Sequence, residues 1–222
     1  SKVSDTDVTT PNAGADDYLH KPIVPLELKS RVHIGERILG LGDNLVQAKD
    51  ALEQTAMFDP LTNTLNQKAL ITLARGELER ARRNQAPLSL VALDIDNFNT
   101  IKDQHGEAVA NDVLVLAAQA IREKSRPYDG LGRYEDTMFL IPFPGVIGQD
   151  AEKIAQRILK GISNTNISLL DGTPLNVSIS ISVVSSTRVT VNMEVDMLIE
   201  KAIELISVIK HNGGNQVETV FI

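Results

Sequence analysis

The chain has 222 residues, of which 42% are hydrophobic and 23% charged, and a net charge of −7, which suits a globular protein of one domain with extensions. It holds no cysteine, so disulfides and thiol catalysis are excluded, and no apolar run approaches the roughly 20 residues that cross a bilayer. The acidic balance argues against duplex nucleic acid as a partner, because neutralising phosphates takes clustered lysine and arginine. A nucleotide site stays open, since it needs only a few well-placed cations.

Ser1–Asn12 is polar and loop-like, the reverse of a signal peptide. The chain opens without Met and its first patterned stretch reads as the end of a preceding domain, so a piece of a longer protein is expected. Tyr18 and Leu19 end a short strand, and Lys21-Pro22 is a turn because the residue before proline is pushed out of the helical region. Pro25 suits the first turn of a helix from Leu26 to about Met57. Ile34, Ile38, Leu41, Leu45, Ala48 and Leu52 fall at alternating spacings of four and three, the seam of a coiled coil. This helix is either a linker packed on its own domain or a dimer-forming signalling helix, and the heptad spacing favours the second.

Asp59-Pro60 breaks that helix. A helix is expected over Asn66–Arg83, a strand buried on both faces over Leu88–Leu93, and a helix over Val109–Lys124. Gly130–Tyr134 and Met138–Phe143 flank a tight polar turn and read as a hairpin; Asp150–Ile162 is a helix. Ile167–Leu170 and Leu175–Val184 flank Asp171-Gly172, a second hairpin. Ile179, Ile181 and Val183 alternate with serines, which predicts one buried and one polar face. Val195–Lys210 is a helix stopped by Gly213-Gly214, and Gln216–Phe221 is a last strand. Mixed helices and strands with two hairpins predict an α+β fold with a largely antiparallel sheet.

Three segments carry a family resemblance. DPLTNTLNQKAL (Asp59–Leu70), LSLVALDIDNFNTIKDQHGEAVANDVL (Leu88–Leu114) and GLGRYEDTMFLIPFPG (Gly130–Gly145) resemble, in order and spacing, the opening turn, first strand and hairpin of GGDEF domains, the diguanylate cyclase family. GADDYLHKPI is similar to the last strand and turn of a bacterial receiver domain, with Lys21 at its phosphate-sensing lysine. The resemblance implies a receiver remnant over residues 1–33, a helical linker over 34–57 and a GGDEF domain over 58–222. It also implies a nucleotide-cyclase-like fold, with a five-stranded, largely antiparallel sheet flanked by helices. It further implies a bacterial, cytoplasmic response regulator in two-component signalling.

The family condenses two GTP into cyclic di-GMP with two divalent metals, and the residues that resemblance assigns to this chemistry have changed. Asp94 keeps the first metal ligand, but the turn reads EDTMF in place of GGDEF. Glu135 and Asp136 replace two glycines, adding bulk and negative charge where a triphosphate would lie. Thr137 replaces the catalytic acid, and Met138 a metal carboxylate, although a thioether is a poor magnesium ligand. Lys102 and Asn111 replace the guanine-binding Asn and Asp, Asn99 a phosphate lysine and Gly214 an arginine, while Lys210 keeps a phosphate-binding position. No catalytic residue, no metal site and no bound magnesium are therefore expected. Asp94, its partners gone, is expected to be a solvated turn carboxylate or a helix cap.

A second family site survives. Its RxxD mark stands here as Arg126-Pro127-Tyr128-Asp129, with Gly130 to Tyr134 before the degenerate turn, and Arg157 matches the basic residue of the following helix. The resemblance implies cyclic di-GMP as ligand. A guanidinium can bond guanine O6 and N7, and an ionised aspartate can accept from N1 and N2. Taken alone, Arg126 and Asp129 would instead form a surface ion pair. The reading is a catalytically inactive, cyclic di-GMP-binding effector, a homodimer with an unnamed protein partner and without nucleic acid or membrane. An active or weakly active cyclase, and an interaction scaffold without nucleotide, are the alternatives.

Overall fold

The computed structural model describes Leu19 and residues 21–55, 57–163, 167–168 and 174–222. The polar opening, the strand end at Tyr18, most of the GADDYLHKPI stretch and the Asp171-Gly172 turn lie outside the described residues. The chain divides into two units at Thr55/Ala56. The first holds one long helix, α1 (Pro25–Thr55). Pro25 is accepted at its start because the N–H missing there would have no helical partner, and Arg31 pairs with Glu27 one turn back at 3.1 Å. The heptad side chains Ile34, Ile38, Leu41 and Leu45 are all more than half exposed.

The second unit contains α2 (Gln67–Asn84), β1 (Leu88–Ile95), α3 (Phe98–Lys124), β2 (Gly132–Arg133), β3 (Met138–Pro144), α4 (Gly148–Ser163), β4 (Ile167–Ser168), β5 (Pro174–Leu175), β6 (Ile179–Ser186), α5 (Val195–His211) and β7 (Val217–Phe221). Asn66 caps α2, its side-chain oxygen accepting from Ala69 N at 2.9 Å. The central sheet runs β2-β3-β1-β6-β7, antiparallel except for the parallel β6–β7 edge. This is the α+β architecture expected, with a mixed, mostly antiparallel sheet.

All eight residues of β1 are buried, and strand alternation divides them between two layers. Val91, Leu93 and Ile95 enter the core formed with α3 and α4, whereas Leu88, Leu90 and Ala92 enter the core formed with α2 and α5. Covering the strand on both sides explains its continuous apolar run. It also places the carboxyl end of β1, with Asp94 and Asp96, between the hairpin on one side and the start of β6 on the other.

Three expectations are corrected. The single strand expected over Leu175–Val184 is two: β5 pairs only with β4, residues 176–178 are not strand, and β6 joins the central sheet beside β1. Val177 is buried in the α3–α4 core where the chain passes from one sheet to the other, and alternation cannot show which sheet a strand enters. The serine face of β6 is buried, not solvated: Ser180 and Ser182 are fully covered. Their hydroxyls are satisfied internally, Ser182 Oγ donating to Ala202 O of α5 at 2.9 Å and Ser180 Oγ to Asp96 Oδ1 at 2.6 Å. Finally, the helix expected from Val109 begins at Phe98. Gly106, at φ 84° and ψ 171°, breaks α3 into two pieces, and the first is too polar to show a helical period.

Candidate functional site

Two sites rise from this framework. The first lies at the end of β1. Asp94 stands opposite Met138 in the β1–β3 ladder, and directly opposed residues face the same side of the sheet. The register therefore sets position 138 beside Asp94, but Met138 is buried in the apolar core with Leu70 and Leu140. Thr137 Oγ1 instead donates to Asp94 Oδ1 at 2.6 Å. The other carboxylate oxygen lies 2.6 Å from Lys210 Nζ, which also donates to the Ile95 carbonyl at 3.0 Å. Asp94 is thus a strand carboxylate, 9% exposed and ion-paired, neither the solvated turn residue nor the cap expected. The cause is α5, which brings Lys210 back across the sheet from far along the chain.

Asp96 is a residue the sequence reading passed over. It is 7% exposed and accepts from Ser178 Oγ (2.8 Å), Ser180 Oγ (2.6 Å) and Asn215 N (2.9 Å). One carboxylate thereby ties the ends of β1 and β6 to the turn before β7. Gly214 closes this knot at φ +69°, and a Cβ there would come within 2.9 Å of the Asp96 carboxyl. Glycine at 214 has its own local reason, close approach and positive φ, beyond the loss of an arginine. The legible signal was the second aspartate of DIDNF set against the alternating serines.

Above Asp94 opens a cleft of about 690 Å³, lined among others by Asp59, Asn99, Arg133, Tyr134, Glu135, Asp136 and Thr137. It gathers four of the substituted positions, Asn99, Glu135, Asp136 and Thr137. Asp94 touches it only through its bond with Thr137, and Met138, Lys102 (exposed and 3.9 Å from Glu107) and half-buried Asn111 fall outside its lining. Glu135 and Asp136 are exposed at its lip. Burial first, then the carboxylates of Glu135, Asp196 and Glu200, push the Tyr134 phenol above its ordinary range. The cleft cation Arg133 is already engaged, with Nη1 3.3 Å from both Asp59 oxygens and Nη2 donating to Asp136 O at 2.7 Å.

Asp59 anchors the opening turn. Its Oδ1 accepts from Thr62 N (2.8 Å) and Thr62 Oγ1 (2.7 Å). Burial pulls its carboxyl upward, but the Thr62 bonds and the Arg133 charge outweigh that and hold it below the ordinary value. A depressed carboxyl contributes stability above its unfolded-state value, near 4, and loses that contribution as pH falls through the folded-state value. Urea-unfolding midpoints should therefore hold down to about pH 5 and fall below about pH 4, with a shallower acid fall in Asp59→Asn.

The second site is the turn after α3. Asp129 is 8% exposed, and its Oδ2 accepts from the backbone N of Arg126 at 2.7 Å, while Asp129 N donates to Arg126 O at 3.0 Å. Arg122 Nη1 holds the Asp129 carbonyl at 3.0 Å. The turn is thus closed by its backbone and the aspartate. The surface ion pair that the two side chains alone suggested is not formed among the described residues. The Arg126 guanidinium lies over the Tyr128 ring, 6.0 Å from its centroid. Arg126, Tyr128 and Asp129 share a cleft of about 70 Å³. Arg157 lines a separate groove of about 960 Å³ between α3 and α4, and its Nη2 donates to the carbonyl of Lys124, two residues before Arg126.

A mostly antiparallel sheet with helices on both faces, carrying carboxylates at the end of its first central strand beside a hairpin turn, defines a nucleotide-cyclase-like domain. The chain matches the Diguanylate cyclase, GGDEF domain family over residues 56–216, and it belongs to that family. The response regulator PleD of Caulobacter vibrioides (strain NA1000 / CB15N) is 30% identical over 205 residues, covering 92% of this chain and 45% of PleD. That coverage extends into the residues before 56. The diguanylate cyclase SiaD of Pseudomonas aeruginosa, solved with its activator SiaC, is 25% identical with a TM-score of 0.70 over 88% of this chain and 76% of SiaD. The GGDEF domain of DgcB from Caulobacter crescentus, solved in complex with c-di-GMP, shares the fold at 22% identity and a TM-score of 0.69, over 73% of this chain and 92% of that one. The chain spans less than half the length of the curated relatives it matches. No described helix is long and apolar enough to cross a membrane.

Proposed function

We propose that this is a GGDEF domain without cyclase chemistry that binds cyclic di-GMP through Arg126, Asp129 and Arg157. The observation that carries the first half is the place opposite Asp94 in the β1–β3 ladder, where Met138 turns into the apolar core and Thr137 Oγ1 donates to the Asp94 carboxylate. Magnesium takes hard oxygen ligands in near-octahedral geometry. At this place the chain offers one carboxylate already neutralised by an ammonium, a threonine hydroxyl turned toward that carboxylate, and a thioether buried in the core. This donor set does not fit the two metals that the family implies. The acidic lip at Glu135 and Asp136, with Arg133 engaged by Asp59, further disfavours a triphosphate. Incubation with GTP and Mg²⁺ or Mn²⁺ should give no cyclic di-GMP by chromatography. Turnover that Asp94→Ala abolishes would restore the reading as an active cyclase.

The second half rests on the pre-formed turn. Asp129 Oδ2 is committed to the Arg126 N–H, but Oδ1 has no protein donor among the described residues. The Arg126 guanidinium is bonded to no carboxylate there, so it can turn to the O6 and N7 edge of guanine while Oδ1 accepts from N1 and N2. DgcB, solved with this dinucleotide, supports the ligand class. The exposed heptad stripe of α1 supports a dimer seam, and the likeness to PleD supports a bacterial response regulator with a receiver domain before the linker. SiaD, solved with a protein activator, supports a protein partner whose affinity ligand occupancy would change. The low exposure of Asp129 favours the alternative of a scaffold without nucleotide; a flat titration with cyclic di-GMP would decide for it.

A further inference from the structure

Tyr128 occupies a free position of the RxxD turn, and no role falls to it from the turn's own architecture. Its ring is 78% exposed, among the most exposed large side chains of the molecule. Its apolar faces are open to solvent while its hydroxyl can stay wet, the combination that makes tyrosine frequent at binding surfaces. The turn beneath it is rigid: Pro127 fixes one backbone angle, and the Asp129 carboxylate, the Asp129 N–H and Arg122 fasten the rest. The ring is therefore presented by a scaffold, which lowers the ordering cost of using it.

The dimensions of the site give the ring a place beside a ligand. The cleft shared by Arg126, Tyr128 and Asp129 is small, about 70 Å³, well under the roughly 300 Å³ and more of an ordinary ligand pocket. A base bonded to Arg126 and Asp129 must lie outside it, with a face toward the turn. Among the residues lining that cleft, Phe143 and Gly130 are covered or lack a ring, and Tyr128 offers the exposed flat surface. The Arg126 guanidinium lies over the same ring, 6.0 Å from its centroid, so the hydrogen-bonding fork and the stacking surface stand on one side of the turn.

Resting on the proposed ligand site, we infer that Tyr128 is the stacking platform for a guanine base held by Arg126 and Asp129. Base–aromatic stacking is tolerant of a lost hydroxyl but not of a lost ring. Calorimetry of the full chain with cyclic di-GMP should give Tyr128→Phe within about twofold of wild type. Tyr128→Ala and Tyr128→Leu should both weaken binding about 10-fold, or about 1.4 kcal/mol, the leucine testing apolar area without a ring. The chain has no Trp and only three Tyr, so quenching of tyrosine emission on titration should accompany binding and be reduced in Tyr128→Leu. Thermal unfolding of these variants should match wild type, because the side chain is exposed. Wild-type affinity in Tyr128→Leu, with Arg126→Ala weakened, would overturn the stacking role and leave the ligand site standing. No binding by wild type would end both.

Discussion

Arg126→Ala should weaken cyclic di-GMP binding about 100-fold in calorimetry while leaving the melting temperature within about 1 °C of wild type. A bidentate arginine–guanine contact contributes about 1–3 kcal/mol of recognition, and its charge toward a doubly anionic ligand adds to that. About 2.7 kcal/mol corresponds to the stated factor. The fold should be indifferent because the turn uses the backbone of Arg126, its N–H to Asp129 Oδ2 and its O to Asp129 N, and alanine keeps both. Asp129→Ala is a poorer probe, since the same carboxylate closes the turn, and it should lose stability together with binding. Arg157→Ala should cost less, roughly 10-fold, because its guanidinium lies in the adjoining groove and already bonds Lys124 O. An Arg126→Ala protein that binds as tightly as wild type would remove the arginine from the site.

Asp96→Ala should lower stability by about 4 kcal/mol in urea unfolding and the melting temperature by about 12 °C. The substitution strands two serine hydroxyls and the Asn215 N–H, each of which loses its acceptor. An unsatisfied buried donor costs about 1–3 kcal/mol, more where the lost partner was charged. The same carboxylate joins the ends of β1 and β6 to the Gly213-Gly214 turn, so β7 at the sheet edge should loosen first and show the earliest loss of amide protection. Asp96→Asn, which keeps one acceptor oxygen, should recover about half of the loss. Wild-type stability in Asp96→Ala would mean that these hydroxyls find other acceptors and that the knot is incidental.

Much of the fold was legible because its strongest signals are local. The continuous apolar run of β1 reported a strand covered on both faces. The helix α2 was legible to within one residue at each end, and Gly213-Gly214 ended α5 with two positive-φ residues. Reading failed where a residue's role depends on a distant partner. The serines of β6 looked like a polar face because alternation reports polarity and not what covers it; α5 covers them and Ser182 bonds its backbone. The break at Gly106 was hidden by a polar helical segment without period.

At the two sites the division follows the same rule. Residue type alone decided that the hairpin turn carries threonine and methionine where the family has carboxylates, and that an arginine and an aspartate stand three residues apart before it, because ligand chemistry is a property of side chains in a register. Only the tertiary structure decided what those side chains face. It set Lys210 against Asp94, turned Asp129 inward to hold its own loop, and left the Tyr128 ring outside with Arg126 across it. Electrostatic pairing and burial are set by the few ångströms between groups that the chain brings together from far apart, and those distances are written in no local pattern of residues.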